Sequence, residues 1–161
     1  MENVKKEELR TILFYNKTLF TKDLKELLRL RSNIIDIRKG PKYMEVDILG
    51  DYSGVITTLG DPLFKSNRFE DFSCFWDGRF WEAHEAIESL WRGERDLDMR
   101  NYYQALILVC ASMIKFYKGE LKVSDDLMEK ALSLLTKVPG YKREEAFKKL
   151  ISDYKKNNWS K

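Results

Sequence analysis

Between Asp98 and Gly119 the chain reads DMRNYYQALILVCASMIKFYKG, helical in rhythm and apolar on most of its circumference. An ordinary amphipathic helix hides one stripe. A helix like this one must be covered on several sides, so it predicts an array of helices with this segment at the centre. Gly119 is placed to close it.

The neighbours are supplied nearby. From Ser66 onward only helical periodicity is present, over 67–78, 79–93, 124–140 and 142–158 as well as the central segment. Ser66 and Ser124 stand where N-caps belong, and Gly78, Gly93 and Pro139-Gly140 where helices stop. Five helices joined by short turns predict antiparallel packing. The glycines at 78 and 119 are 41 residues apart, which misses the 34-residue tetratricopeptide period.

The first 62 residues read differently. RTILFYN (10–16) is a short β-branched and aromatic run, a buried-strand pattern. TKDLKELLRLR (21–31) is helical, with Thr21 available as a cap and Leu24, Leu27 and Leu28 on one face. Ile35 and Ile37 alternate with Asp36 and Arg38, and Met44, Val46 and Ile48 with Glu45 and Asp47. The KGPK between them is turn chemistry, so this is a hairpin. SGVITTLGDP (53–62) forms a short helix or turn. The predicted order is β-α-β-β, part of a ferredoxin-like unit, and three strands leave edges that invite a second copy or a cover. The fold class expected is α+β, mainly α: a β-α-β-β module over 1–62, then an antiparallel five-helix array over 66–161.

Composition limits the function. The chain has 161 residues, 43% hydrophobic and 34% charged, with Gln104 its one glutamine. High charge with little glutamine also occurs in heat-adapted proteins. No window of about 18 apolar residues exists, so no membrane helix is expected, and the charged N-terminus lacks a signal-peptide core. The expected location is cytoplasmic. Cys74 and Cys110 stand apart in apolar surroundings, as small buried hydrophobes do. Residues 67–136 carry 9 basic and 13 acidic groups, a net −4; residues 137–161 carry 8 and 3, a net +5. A basic tail of this kind is usually the wet face of an amphipathic helix, so nucleic acid is not the expected partner.

Function rests on FWEAHEAIESLW (80–91), which holds the only histidine. On a helical wheel Phe80, Ile87 and Trp91 centre the apolar face, His84 falls on its flank, and Glu88 lies one turn on. Glu85 lies further out, and Glu82 points to the far side. Three chemistries fit. His84 and Glu88 at i, i+4 supply two ligands to a divalent metal, with Asp77, Glu85 and Asp98 as further carboxylates. Glu88 orients His84 as a general base. Or His84 bonds a buried polar partner among Gln104, Ser112 and Lys115 on the central helix, the usual fate of a lone histidine on an apolar face. Trp81 and Trp91 with Gln104 and Lys115 are the residues that would line a pocket beside it.

DGRFWEAHEAIESLW, then YYQALILVCASMIKFYKGE and LMEKALSLL, resemble the domain-of-unknown-function family 309 over about residues 67–136. The matching positions are Gly78, Phe80, Glu82, Ala83, His84, Glu85, Glu88, Trp91, Gln104 and Gly119; Glu120 stands where the family often has Asn. The resemblance implies an all-helical fold for this part and no particular activity. The sequence is read as a binding or protein-interaction module, probed by a small ligand or partner through a His/Glu pocket on helix 79–93, with His84, Glu85 and Glu88 as its active groups. A homo-oligomer is expected. The alternative is a metal-assisted or His/Glu acid–base hydrolase using the same residues, and a weaker one is a nucleic-acid-associated accessory protein.

Overall fold

The computed structural model describes residues 9–67 and 72–159, with side chains described over 9–67 and 74–150. The chain divides into two compact units, residues 1–67 and 68–161. The fold is mixed α+β: a four-stranded antiparallel sheet, then helices.

In the first unit the order is β1 (Arg10–Asn16), α1 (Leu24–Arg29), β2 (Ile34–Lys39), β3 (Tyr43–Leu49), α2 (Ser53–Leu59) and β4 (Phe64–Ser66). The strands lie in the order β2-β3-β1-β4, and every neighbouring pair is antiparallel. This is the complete ferredoxin-like β-α-β-β-α-β arrangement. The fourth strand is one more than the sequence predicts. Phe64–Ser66 is only three residues long and too brief to show alternation, yet it pairs with Ile12–Phe14. A short edge strand of this kind blunts the open side of β1.

One face of the sheet packs Leu13, Tyr15, Met44, Val46 and Ile48 against Leu24 and Leu28 of α1 and Val55 of α2. The hairpin differs from strict alternation. A bulge between Ile34 and Asp36 puts Ile34 and Ile37 in this core and turns Ile35 outward. Cβ at Gly54 would lie 2.7 Å from the Arg31 Cβ, so only glycine lets α2 approach the end of α1 this closely. On the other face the Asp47 carboxylate accepts from Arg10 at 2.9 and 2.6 Å and from Arg38 at 3.0 Å, and Glu45 accepts from Arg38 at 3.3 Å. Asp47, Glu45 and Arg38 are buried and mutually bonded, as buried charges must be, and Arg10 reaches them from the rim.

The second unit contains a 3-10 turn (Phe72–Asp77), α3 (Phe80–Gly93), α4 (Leu97–Tyr117), α5 (Leu121–Lys137) and α6 (Gly140–Trp159). The first of the five expected helices is thus a 3-10 turn, and residues 68–71 of that segment lie outside the described residues. α4 is the central helix: Met99, Tyr102, Tyr103, Ile107 and Cys110 join Ala83 and Ile87 of α3 with Ala146 and Leu150 of α6 in one core. Cys74 and Cys110 are both buried, and burial pushes the Cys110 thiol up to about 12. Gly119, at φ +81°, makes the sharp turn into α5.

Ser124 does not cap α5, which begins three residues earlier at Leu121. It is buried and clasps α4 instead. The Ser112 hydroxyl donates to the Ser124 carbonyl at 2.7 Å, the Ser124 hydroxyl donates to the Ser112 carbonyl at 2.8 Å, and the two hydroxyl oxygens are 3.0 Å apart. Small side chains let the backbones come close, and each hydroxyl bonds the second lone pair of a carbonyl already in its own helix ladder.

α6 is tied to the α3–α4 loop by charge. Lys142 donates to Asp96 at 2.8 Å and Lys149 to Glu94 at 3.3 Å. The Lys142 hydrogen bond, with that from the Met99 N–H, holds the Asp96 carboxyl below its usual range; the Asp96 N–H, then Lys149, does the same for Glu94.

Two outcomes are expected. Ser112→Ala and Ser124→Ala each cost about 1 kcal/mol, the net worth of one buried hydrogen bond, because the carbonyl that each releases keeps its helix bond. The double variant costs less than the two together, since one clasp is removed twice. Urea melts of all four proteins measure this, and fully additive costs would show the hydroxyls to be uncoupled. Second, Asp96 and Glu94 are more acidic folded than unfolded, so their contribution is complete above the unfolded value of about 4 and fades as pH falls through the lower folded one. Hydrogen-exchange protection factors in α6 should fall as pH drops below about 4, and less so in Asp96→Asn.

Candidate functional site

The site region is built on α3. The 3-10 turn before it closes with Gly78 N–H on the Phe75 carbonyl at 3.1 Å and Arg79 N–H on the Cys74 carbonyl at 2.8 Å. Phe80 then packs edge-on to Phe75 and parallel to Tyr117 of α4, with centroids 5.6 and 6.2 Å apart. At the other end Arg100 of α4 donates to the Trp91 and Glu94 carbonyls at 3.3 and 3.1 Å, capping acceptors that the last turn leaves open. The same guanidinium lies 4.5 Å from the Trp91 ring centroid. Both ends of α3 are therefore fixed, which sets the rotation of everything between them.

Along this rigid helix His84 is 22% exposed and Glu88 33% exposed in their side chains. The His84 ring lies nearly parallel to Trp81, at 10° with centroids 5.8 Å apart. Its Nδ1 is 3.7 Å from a Glu88 carboxylate oxygen. That is an ion-pair distance for a protonated imidazole and too long for a hydrogen bond. Nδ1 is buried and has no hydrogen-bond partner among the described residues. The other Glu88 oxygen accepts from Arg92 at 2.7 Å. Glu85 is half-buried on the same side of the helix.

The four residues expected to line a pocket divide. Trp81 stays with His84. Trp91 turns to Arg100 and packs on the core. Lys115 pairs with Glu120 at 2.8 Å, and this pairing holds the Glu120 carboxyl below its usual range. Ser112 is engaged by Ser124, and no hydrogen bond joins Gln104 to His84 or Glu88 among the described residues. The buried polar network once expected on α4 therefore does not include His84. Ser112 is partnered on α5 and Lys115 in the α4–α5 turn. For metal binding, His84 and Glu88 are two donors. Among the described residues, Asp77, Glu85 and Asp98 included, no three His, Cys, Asp or Glu side chains converge.

Glu82 is the residue that the wheel misjudged. It lies on the side of α3 away from Ile87, yet its side chain is 0% exposed. One oxygen meets Arg79 at 3.4 Å; the other has no hydrogen-bond partner among the described residues. The wheel treats that side as wet. Here the first turn of α3 is enclosed on both sides, and Arg79 folds along the helix to Glu82. The clue was in the sequence, as an i, i+3 pair of opposite charges. A lone Arg-Glu pair carries no sign of its burial.

In the basic tail Lys148 pairs with Glu144 at 2.9 Å and Lys149 with Glu94. The side chains of Lys155 and Lys156 lie outside the described residues.

Glu82→Ala removes a fully enclosed carboxylate from beside the Arg79 guanidinium, and is expected to cost about 3 kcal/mol or more. His84→Ala removes a part-exposed ring with an unsatisfied nitrogen and is expected to cost less than about 2 kcal/mol. Chemical denaturation of the two variants compares them, and the reverse order would make His84 the structural residue of the motif.

Residues 70–126, which contain all of α3 and α4, match the model of a family described as a domain of unknown function (DUF309). No curated protein and no solved structure matches the chain.

Proposed function

We propose that the helical unit is a binding module whose recognition surface is the outer edge of α3. The ligand is a small molecule or partner side chain carrying a hydrogen-bond donor or positive charge. It would be held by the Glu85 and Glu88 carboxylates beside the Trp81–His84 stack. The observation that carries this reading is the His84 Nδ1: buried, unbonded, and 3.7 Å from a carboxylate. A buried nitrogen left unsatisfied costs about 1–3 kcal/mol, which an alanine at this position would avoid. A ligand that moves Glu88 by less than a side-chain rotamer would relieve it. The stack adds a planar apolar wall and the carboxylates add sign.

The hydrolase reading keeps one observation in its favour, the same His84–Glu88 pair at a spacing that a substrate could tighten. It expects His84→Ala to abolish a screened ester or phosphoester activity with the melting temperature retained. Its metal-assisted form expects stoichiometric metal in protein purified without chelators. Self-association is supported by the β2 edge of the sheet, where Ile35 is exposed. Among the described residues no helix is long and apolar enough to cross a membrane, and a cytoplasmic location is part of the same proposal.

A thermal-shift screen of primary amines, diamines and amino acids tests the binding reading. A true ligand at one hundred times its Kd stabilises by about 2.7 kcal/mol. The expected result is a shift in the wild-type protein that is lost in His84→Ala. No shift with any amine, or an equal shift in the variant, would defeat it.

A further inference from the structure

Glu88 is claimed by two neighbours. Its first oxygen accepts from the Arg92 guanidinium at 2.7 Å, and its second stands 3.7 Å from His84 Nδ1. All three residues lie one turn apart on the same edge of α3, at i, i+4 and i+8. Glutamate next to imidazole at that spacing can close the gap by a small rotation about its side-chain bonds. The short bond to Arg92 opposes that rotation. We propose that Arg92 is the positioning residue of the α3 site: it holds Glu88 off His84 and so keeps the buried imidazole nitrogen unbonded until a ligand shifts the carboxylate. The inference rests on the reading of this edge as a binding surface, but its test needs no ligand.

The consequence is a competition for one carboxylate. While Arg92 holds Glu88, the His84 Nδ1 stays unbonded. When the guanidinium is drawn away, by an anionic group of a ligand or by substitution, Glu88 turns to His84 and the imidazolium form is favoured. A ligand with an anionic end for Arg92 and a donor for the carboxylates would work both ends of the device at once. Other charges near His84 are committed elsewhere. Glu85 shares the helix edge with it. On α4, Arg100 is bonded to the Trp91 and Glu94 carbonyls, and Lys115 is paired with Glu120. Asp77 in the 3-10 turn has a partner of its own. Arg92 is thus the only cation bonded to Glu88 among the described residues.

His84 is the only histidine in the chain, so its imidazole resonances can be followed through a pH titration of the intact protein without further assignment. Arg92 is 68% exposed, and replacing it leaves the core untouched. In Arg92→Gln the titration midpoint is expected to rise by about 0.3 pH units, the size of one exposed i, i+4 charge pair. Arg92→Lys, which keeps a cation within reach of Glu88, should stay near the wild type. In a Glu88→Gln background, Arg92→Gln should have no effect. An unchanged or lowered midpoint in Arg92→Gln overturns the proposal. So does a rise of the same size in the Glu88→Gln background, because Arg92 would then act on His84 directly by its charge. Failure of the amine screen with success here would remove the ligand and leave the positioning role; the reverse would leave the ligand and remove Arg92 from its site.

Discussion

α4 has to bury nearly its whole circumference, and the helical unit is arranged by that demand. A helix with Tyr102, Tyr103, Ile107 and Cys110 turned to a shared core, and Ala105 and Ser112 turned to α5, cannot sit on the outside of anything. α3 and α6 each bring a face of their own to it, and α5 brings the Ser124–Ala131 side. Packing of this kind fixes helices by shape. The polar contacts then choose among the rotations that shape allows. Ser112 with Ser124 sets α5, Arg100 with the end of α3 sets that helix, and Lys142 and Lys149 set α6 against the loop between α3 and α4.

How far this was legible depends on the length of each signal. α3, α4 and β1 repeat their period several times, and the bounds read from the sequence fall within one or two residues of those in the structure. β4 offers three residues and no repeat. The bulge at Ile34–Asp36 adds one residue to an alternating pattern, which reverses the apparent faces without leaving a mark in residue type. Ser124 is the instructive miss. A serine followed by two aspartates has the chemistry of a cap, and the same hydroxyl is small enough to be a close-packing contact between helices. Local chemistry cannot tell the two uses apart; only the presence of Ser112 across the interface does.

The candidate site divides in the same way. The spacing of His84 and Glu88 on one helix edge follows from helical geometry alone, so that pair was readable; Arg92, one turn further on, obeys the same geometry but was not among the expected site residues. What the wheel could not supply was depth. It ranks residues by angle from one buried face, and α3 is enclosed at its first turn on two. Glu82, at the far angle, is therefore the most buried carboxylate of the motif, while Glu88 near the apolar face remains part-exposed.

That contrast bears on what the two acidic residues can do. A carboxylate enclosed with Arg79 has little freedom: moving it strands a buried charge, so it serves to hold the helix in one place. A carboxylate at the rim, between an exposed arginine and a histidine with a spare nitrogen, exchanges one partner for another at small cost. Pre-organised sites combine a fixed support with a group that responds. α3 carries both within two turns. The fixed pair lies at its N-terminal end, the responsive ladder lies along its outer edge, and Arg100 closes the C-terminal end. Displacing Glu88 therefore changes the environment of His84 without requiring the helix itself to move.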